Sequence, residues 1–185
     1  MAGDDVGAPS RKVVVLGTSG SGKSTLAARL ADLLSTDHIE LDAFNHGPNW
    51  IPKPAEEFAA NVAEVMVRPA WVVDGNYISK VSDTLWPAAD IVVWLDLPLW
   101  VILPRIVRRT VRRICAGTEL WGGNRERWGA LVGRDSLLVW AVQSQRTHRA
   151  ELPAKLDALA ASGVRVVRLT SRRAADRWLA EQPTG

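Results

Sequence analysis

The sequence predicts an α/β fold built on a parallel sheet with helices on both faces, and three observations carry that expectation. Short β-branched runs alternate with longer segments of helical period along the chain. The first run leads into a glycine- and serine-rich turn and then a helix. Four of the five runs end in glycine or aspartate, and in parallel sheets of this kind ligands bind just outside the carboxyl ends of the strands.

The elements follow in order. Residues 1–10 carry acids where a secretory signal carries lysines, and they read as a disordered lead; residues 11–185 read as one domain. Strands are predicted at 12–17 (KVVVLG), 38–42 (HIELD), 70–75 (AWVVDG), 90–96 (DIVVWLD) and 164–170 (VRVVRLT). Helices are predicted at 23–34, 54–67, 78–86, 99–115, 127–149, 152–162 and 172–181. Of the nine tryptophans, Trp71, Trp94 and Trp140 are expected in the core, while Trp50 and Trp121, in polar loops, are able to stack on a ring.

The 185-residue chain is 47% hydrophobic and 23% charged, a globular composition with room for a real core. Its most apolar window, 91–104, contains Asp96 and two prolines and falls short of the roughly 20 apolar residues that span a bilayer. A single cysteine, Cys115, excludes an internal disulfide and fits a reducing compartment, so a cytoplasmic location is expected. Net charge is only +3, yet residues 105–149 hold ten arginines against three acids. Positive charge is therefore concentrated there, as the side chain whose planar fork suits phosphate oxygens.

Residues 17–24, Gly-Thr-Ser-Gly-Ser-Gly-Lys-Ser, fit G-x-x-x-x-G-K-[ST] at every position, between a strand and a helix. Gly17, Thr18, Ser19, Gly20, Ser21 and Gly22 can wrap backbone N–H groups around an anion, and the following helix adds its positive dipole end. Lys23 can reach the β- and γ-phosphates, the Ser24 hydroxyl can ligate Mg²⁺, and Thr25 can add a hydroxyl to the α-phosphate. The turn is expected to hold a nucleoside triphosphate, with ATP and Mg²⁺ as cofactors.

Asp74 ends a buried run followed by a turn of Gly75, Asn76 and Tyr77, the place for an aspartate that orients the metal or steers an acceptor. Asp96 ends a run of the same kind, so pattern alone does not choose; Leu-Pro after it suggests a helix start with Asp96 near the cap. Asp42 is expected to end the second strand and head a loop, where its carboxylate could take a proton from an attacking hydroxyl. His38 and His46 have no metal-like spacing. Arg105, Arg108, Arg109 and Arg112 recur at helical spacing on one predicted face, and a glycine-containing segment at about 116–127 brings Arg125 and Arg127. Together they suggest a mobile, arginine-bearing lid that closes over transferring phosphates.

The stretches GTSGSGKSTLAARLA, HIELD, WVVDGNY, WLDLP followed by RIVRRTVRR, and ELWGGNRERW resemble the P-loop kinases of the adenylate kinase-like superfamily, most narrowly the bacterial topology modulation protein group. The resemblance spans about residues 11–181 and implies a P-loop NTPase fold with a five-stranded parallel sheet, an acceptor region after the second strand and a lid between the fourth and fifth. It implies that Arg105 and Arg109 precede the lid, that Arg125 and Arg127 belong to it, and that residues 170–173 lie near the adenine. Adenylate kinases follow Asp-Gly with Phe-Pro-Arg, whereas this chain has Asn76-Tyr77-Ile78, which puts AMP as acceptor in doubt; the Asp42 arrangement is similar instead to shikimate- and gluconate-type kinases. The expected function is phosphotransfer from ATP to a small acceptor, by a monomer or homodimer. Lys23, Asp42, Asp74, Arg109 and Arg125 are the expected catalytic residues, and Asp42, Asp74, Gly75, Asn76 and Tyr77 the expected acceptor contacts. The alternative is an ATP-responsive nucleic-acid-binding regulator, suggested by the basic segment.

Overall fold

A computed structural model describes residues 11–183; the expected disordered lead lies outside them. Five strands form one parallel sheet: β1 (Lys12–Gly17), β2 (His38–Glu40), β3 (Trp71–Asp74), β4 (Ile91–Leu95) and β7 (Arg165–Leu169), in the order β2-β3-β1-β4-β7. β5 (Glu119–Leu120) and β6 (Asn124–Arg125) make a separate small antiparallel hairpin. The helices are α1 (Lys23–Leu33), α2 (Leu41–Asn45), α3 (Ala55–Met66), α4 (Ile78–Val81), α5 (Leu99–Cys115), α6 (Leu137–Ala161) and α7 (Arg172–Ala180).

Alternation along the strands splits the core into two layers, since successive side chains leave a strand on opposite faces. Val14, Leu16, Trp71, Val73, Val92 and Trp94 pack with Phe58, Val62 and Val65 of α3 and Leu152, Leu156 and Leu159 of α6. Val13, Val15, Val72, Ile91 and Val93 face the other way, against Leu26, Ala27 and Leu30 of α1 and Trp178 and Leu179 of α7. Each fully buried Val or Leu stabilises the fold by about 1.5–3 kcal/mol. A third cluster, Leu97, Ile102, Ile106 and Ala141, joins α5 to the start of α6.

Four expectations need correction. The helix expected at 78–86 is only the short α4, and turns follow it through residue 88. The second strand stops at Glu40, because Leu41 turns inward to pack on Gly75; Asp42 therefore sits on the short helix α2. The two helices expected at 127–149 and 152–162 are instead a 3-10 turn at Trp128–Leu131 followed by one long helix, which runs through Pro153. Trp140 is 48% exposed on α6, whereas Trp71 and Trp94 are buried as expected. Among the described residues no helix is long and apolar enough to cross a membrane.

Candidate active site

The site assembles at the carboxyl ends of β1, β2 and β3. Gly17 closes β1, and the turn returns through a hydrogen bond from Ser21 N to the Thr18 carbonyl (2.9 Å) before α1 begins at Lys23. Gly20 has φ +81, and a Cβ there would lie 2.7 Å from Ile106 Cγ1, so only glycine lets the turn lie this close to α5. Lys23 and Ser24, the first residues of α1, are half-buried, and Thr25 is exposed. Among the described residues the buried Ser21 hydroxyl has no hydrogen-bond partner, and it lies against Gly17, where a Cβ would fall 2.5 Å from it.

Helix α5 meets this turn with its arginines. Arg105 Nη1 donates to the Ser21 carbonyl (3.2 Å), and Arg109 Nη2 donates to the Ser19 hydroxyl (3.1 Å). One turn further on, Arg113 pairs with Glu126 at 2.9 Å. The inward stripe is thus 105, 109 and 113, each four residues apart, while Arg108 and Arg112 are exposed. Burial, and then the neighbouring charge of Arg113, lower the Arg109 pKa from its usual value, an effect opposed by Glu126 and Asp42. So costly a cation is well placed to receive an anion.

Carboxylates stand opposite. In the β2–β3 register Glu40 lies beside Asp74, and Asp74 is only 1% exposed. His38 Nε2 lies 3.3 Å from Asp74 Oδ2, and this hydrogen bond is the chief reason the His38 pKa is raised, against the cost of burial. Glu40 is also raised, first by burial and then by the Asp74 charge; His38 and Lys23 pull it back, so Glu40 feels the lysine of the turn. Tyr77 donates its hydroxyl to Asp42 Oδ1 at 2.7 Å, and His46 Nε2 lies 3.4 Å from the same phenol oxygen. Burial and then the Asp42 charge drive the Tyr77 pKa well above its normal range, so the phenol remains a donor.

Asn76 does not face open space: its amide bonds Gly17 on both backbone groups, at 3.0 and 2.9 Å. Asp96 does not cap α5, whose N-terminus is Pro98 without a side-chain cap. Its carboxylate is instead held by Arg149 (2.8 Å) and Arg168. Asp74 has neither arginine and lies beside Glu40 and His38. Trp50 and Trp121 pack on His46, one edge-on and one stacked, at centroid distances of 5.6 and 6.1 Å.

The β5–β6 hairpin carries the expected lid arginines. Arg125 pairs loosely with Glu119 inside the hairpin at 3.6 Å, and both it and Arg127 are exposed. Sequence reasoning missed His38's partnership, Glu40 and His148. The last is buried on α6, with Nδ1 3.5 Å from the Thr18 hydroxyl and Nε2 3.3 Å from Ser144. Only Glu40 had a signal: two acidic side chains, Glu40 and Asp42, flank Leu41 where the second strand ends.

No family model and no curated protein sequence matches the chain. Solved structures do. A shikimate kinase from Acinetobacter baumannii in complex with shikimate superposes with a TM-score of 0.58 at 18% identity, over 92% of this chain and 89% of that one. A shikimate kinase from Bacteroides thetaiotaomicron gives 0.53 at 16%, over 91% and 93%. A gluconokinase from Sinorhizobium meliloti 1021 gives 0.51 at 23%, over 92% and 91%. The chain has the P-loop NTPase fold. At these identities the likeness speaks for architecture, and the chemistry rests on the side chains described above.

Proposed function

We propose that the chain is an ATP-dependent small-molecule kinase that transfers the γ-phosphoryl group to a hydroxyl. The observation that carries this reading is the presence of two charge sets about one turn: Lys23, Arg105 and Arg109 on the Gly17–Ser24 side, and Glu40 at the end of β2, Asp42 on α2 and Asp74 at the end of β3. Phosphoryl transfer needs cations on the transferring group and a base at the acceptor oxygen. Both are present.

Magnesium fits the donor set. The Ser24 hydroxyl and the buried Asp74 carboxylate are hard oxygen donors beside a polyphosphate cradle. Bound there, the ion would neutralise charge on the β- and γ-phosphate oxygens. Lys23 and Arg109 hold the γ-phosphoryl oxygens. Asp42, its Oδ1 occupied by Tyr77, offers Oδ2 to the acceptor hydroxyl. That proton passes to Asp42 as the new O–P bond forms and the bond to the β-phosphate oxygen breaks, so ADP leaves.

The hydroxyl acceptor is favoured over a nucleoside monophosphate because Asn76-Tyr77-Ile78 stand where adenylate kinases carry Phe-Pro-Arg. The solved kinases of similar fold include proteins named for shikimate and gluconate, and both carry hydroxyls. The narrower tie to the topology modulation group rests on sequence motifs alone. A screen of sugars, polyols, hydroxy acids, nucleosides and nucleoside monophosphates for acceptor-dependent ADP release tests the reading. Stimulation by a hydroxyl compound supports it; ADP release indifferent to every acceptor points to an ATPase instead.

A further inference from the structure

β1 is longer than the strand it pairs with. Its register with β3 runs from Lys12 opposite Trp71 to Val15 opposite Asp74, and a long hydrogen bond from Gly75 N to the Val15 carbonyl (3.4 Å) ends the ladder. β1 continues through Leu16 to Gly17, which still pairs with Leu95 of β4 on its other side. On the β3 side the backbone has turned away, and a side chain takes its place. The Gly17 N–H donates to Asn76 Oδ1 at 3.0 Å, and Asn76 Nδ2 donates to the Gly17 carbonyl at 2.9 Å.

A primary amide is planar and carries an acceptor and donors on one end, so it can satisfy both backbone groups of one residue as a neighbouring strand would. Here that residue is the first of the phosphate turn, and it has no side chain of its own by which to be held. The next residue along, Tyr77, reaches Asp42 at 2.7 Å. A single turn, residues 74–77, therefore grips the phosphate cradle with one side chain and the acceptor carboxylate with the next.

We propose that Asn76 is a positioning residue for the phosphate cradle: its amide completes the sheet at Gly17, sets the backbone N–H groups that follow for a triphosphate, and ties their geometry to the Tyr77–Asp42 pair. This rests on the kinase reading of the cradle. It replaces the expectation that Asn76 contacts the acceptor, since both amide atoms are committed to backbone.

The test is calorimetric titration with MgATP of the wild-type chain, Asn76→Ala and Asn76→Asp, at about pH 8 and about pH 5.5. Asn76→Ala should bind about tenfold or more weaker than wild type at both pH values, because two backbone groups lose their partner. Asn76→Asp should be equally weak at the higher pH, where a carboxylate opposes the Gly17 carbonyl. At the lower pH a carboxyl whose pKa is raised by burial regains a donor, and affinity should return to within about threefold of wild type. A residue that only supports the fold would show no such pH-dependent recovery relative to wild type. Wild-type affinity in Asn76→Ala, or an Asn76→Asp deficit equal at both pH values, overturns the proposal. A wild-type chain that gives no heat with MgATP overturns the cradle reading itself and this inference with it.

Discussion

Lys23 stands at the first position of α1, where the helix N-terminus and the turn's N–H groups converge on one place. Its charge is felt as far as Glu40 and His148. Lys23→Ala should lower acceptor-dependent ADP release by about 10²-fold or more while the melting temperature stays nearly constant, because the side chain holds nothing else in place. Unchanged turnover with an accepted substrate would refute its role. His148 makes a second residue-scale prediction. Burial, and then the positive charge of Lys23, lower its pKa from 6.5, with Glu151 opposing. The unfolded chain takes up this proton first as pH falls, so the stability due to neutral His148 is present above 6.5 and lost as pH drops through the lower folded value. Urea melts at about pH 8 and about pH 5 should show wild type losing stability relative to His148→Gln on acidification. No relative loss would mean that the imidazole takes up its proton as readily in the fold as in the unfolded chain. His148 lies 130 residues from Thr18, and such a contact has no local pattern, whereas the phosphate turn is a contiguous motif that any reading of the chain would find.

At the scale of elements, legibility followed how far local signals agreed with packing. α1, α3, α5 and α7 lie within two residues of their expected ends, because periodicity and buried face coincide. α6 was expected to break before Pro153. It continues because Ala141, Gln145, His148, Leu152, Leu156 and Leu159 form one unbroken buried stripe, and that burial outweighs the missing hydrogen bond. The arginine-bearing hairpin differs more. β5–β6 is fastened to the loop after α2 by Asn124, which accepts from Trp50 N (3.0 Å) and donates to the carbonyls of Gly47 (2.8 Å) and Trp121 (2.7 Å). Gly122, with φ +67, touches the Gly47 backbone so closely that a Cβ would fall 2.6 Å from it. Gly122→Ala should therefore detach the hairpin from the acceptor side of the site. The expected result is an acceptor KM raised about tenfold, earlier proteolytic cutting between residues 116 and 127, and little change in melting temperature. An intact KM would show that the fastening has no part in acceptor binding.

Across the whole molecule, the strand order places β1 between β3 and β4, so two aspartates at equivalent strand ends fall on opposite sides of the phosphate turn. Sequence pattern could not tell their surroundings apart, since both follow apolar runs; the sheet gives them different neighbours. Asp74 lies next to Glu40 of β2, while Asp96 lies toward the β7 edge, where Arg149 of α6 and Arg168 of β7 grip it. Arg168 also covers the Trp94 ring, with its guanidinium carbon 4.6 Å from the centroid. Asp96 thus joins three elements far apart in sequence. Breaking a fully buried ion pair costs about 3–5 kcal/mol, but both arginines are about half exposed, so Asp96→Asn should cost roughly 2 kcal/mol. For a domain of this size that is about 5 °C in melting temperature. Its MgATP affinity should remain within about twofold of wild type, because the lost charge lies outside the cradle. Asp74→Asn should behave in the opposite way, melting near wild type yet losing the magnesium-dependent part of ATP affinity by about tenfold. Calorimetry with and without magnesium, alongside thermal melts of both variants, separates the two roles. Reversed results would move the metal-orienting carboxylate to the β7 side and require the acceptor to enter from there.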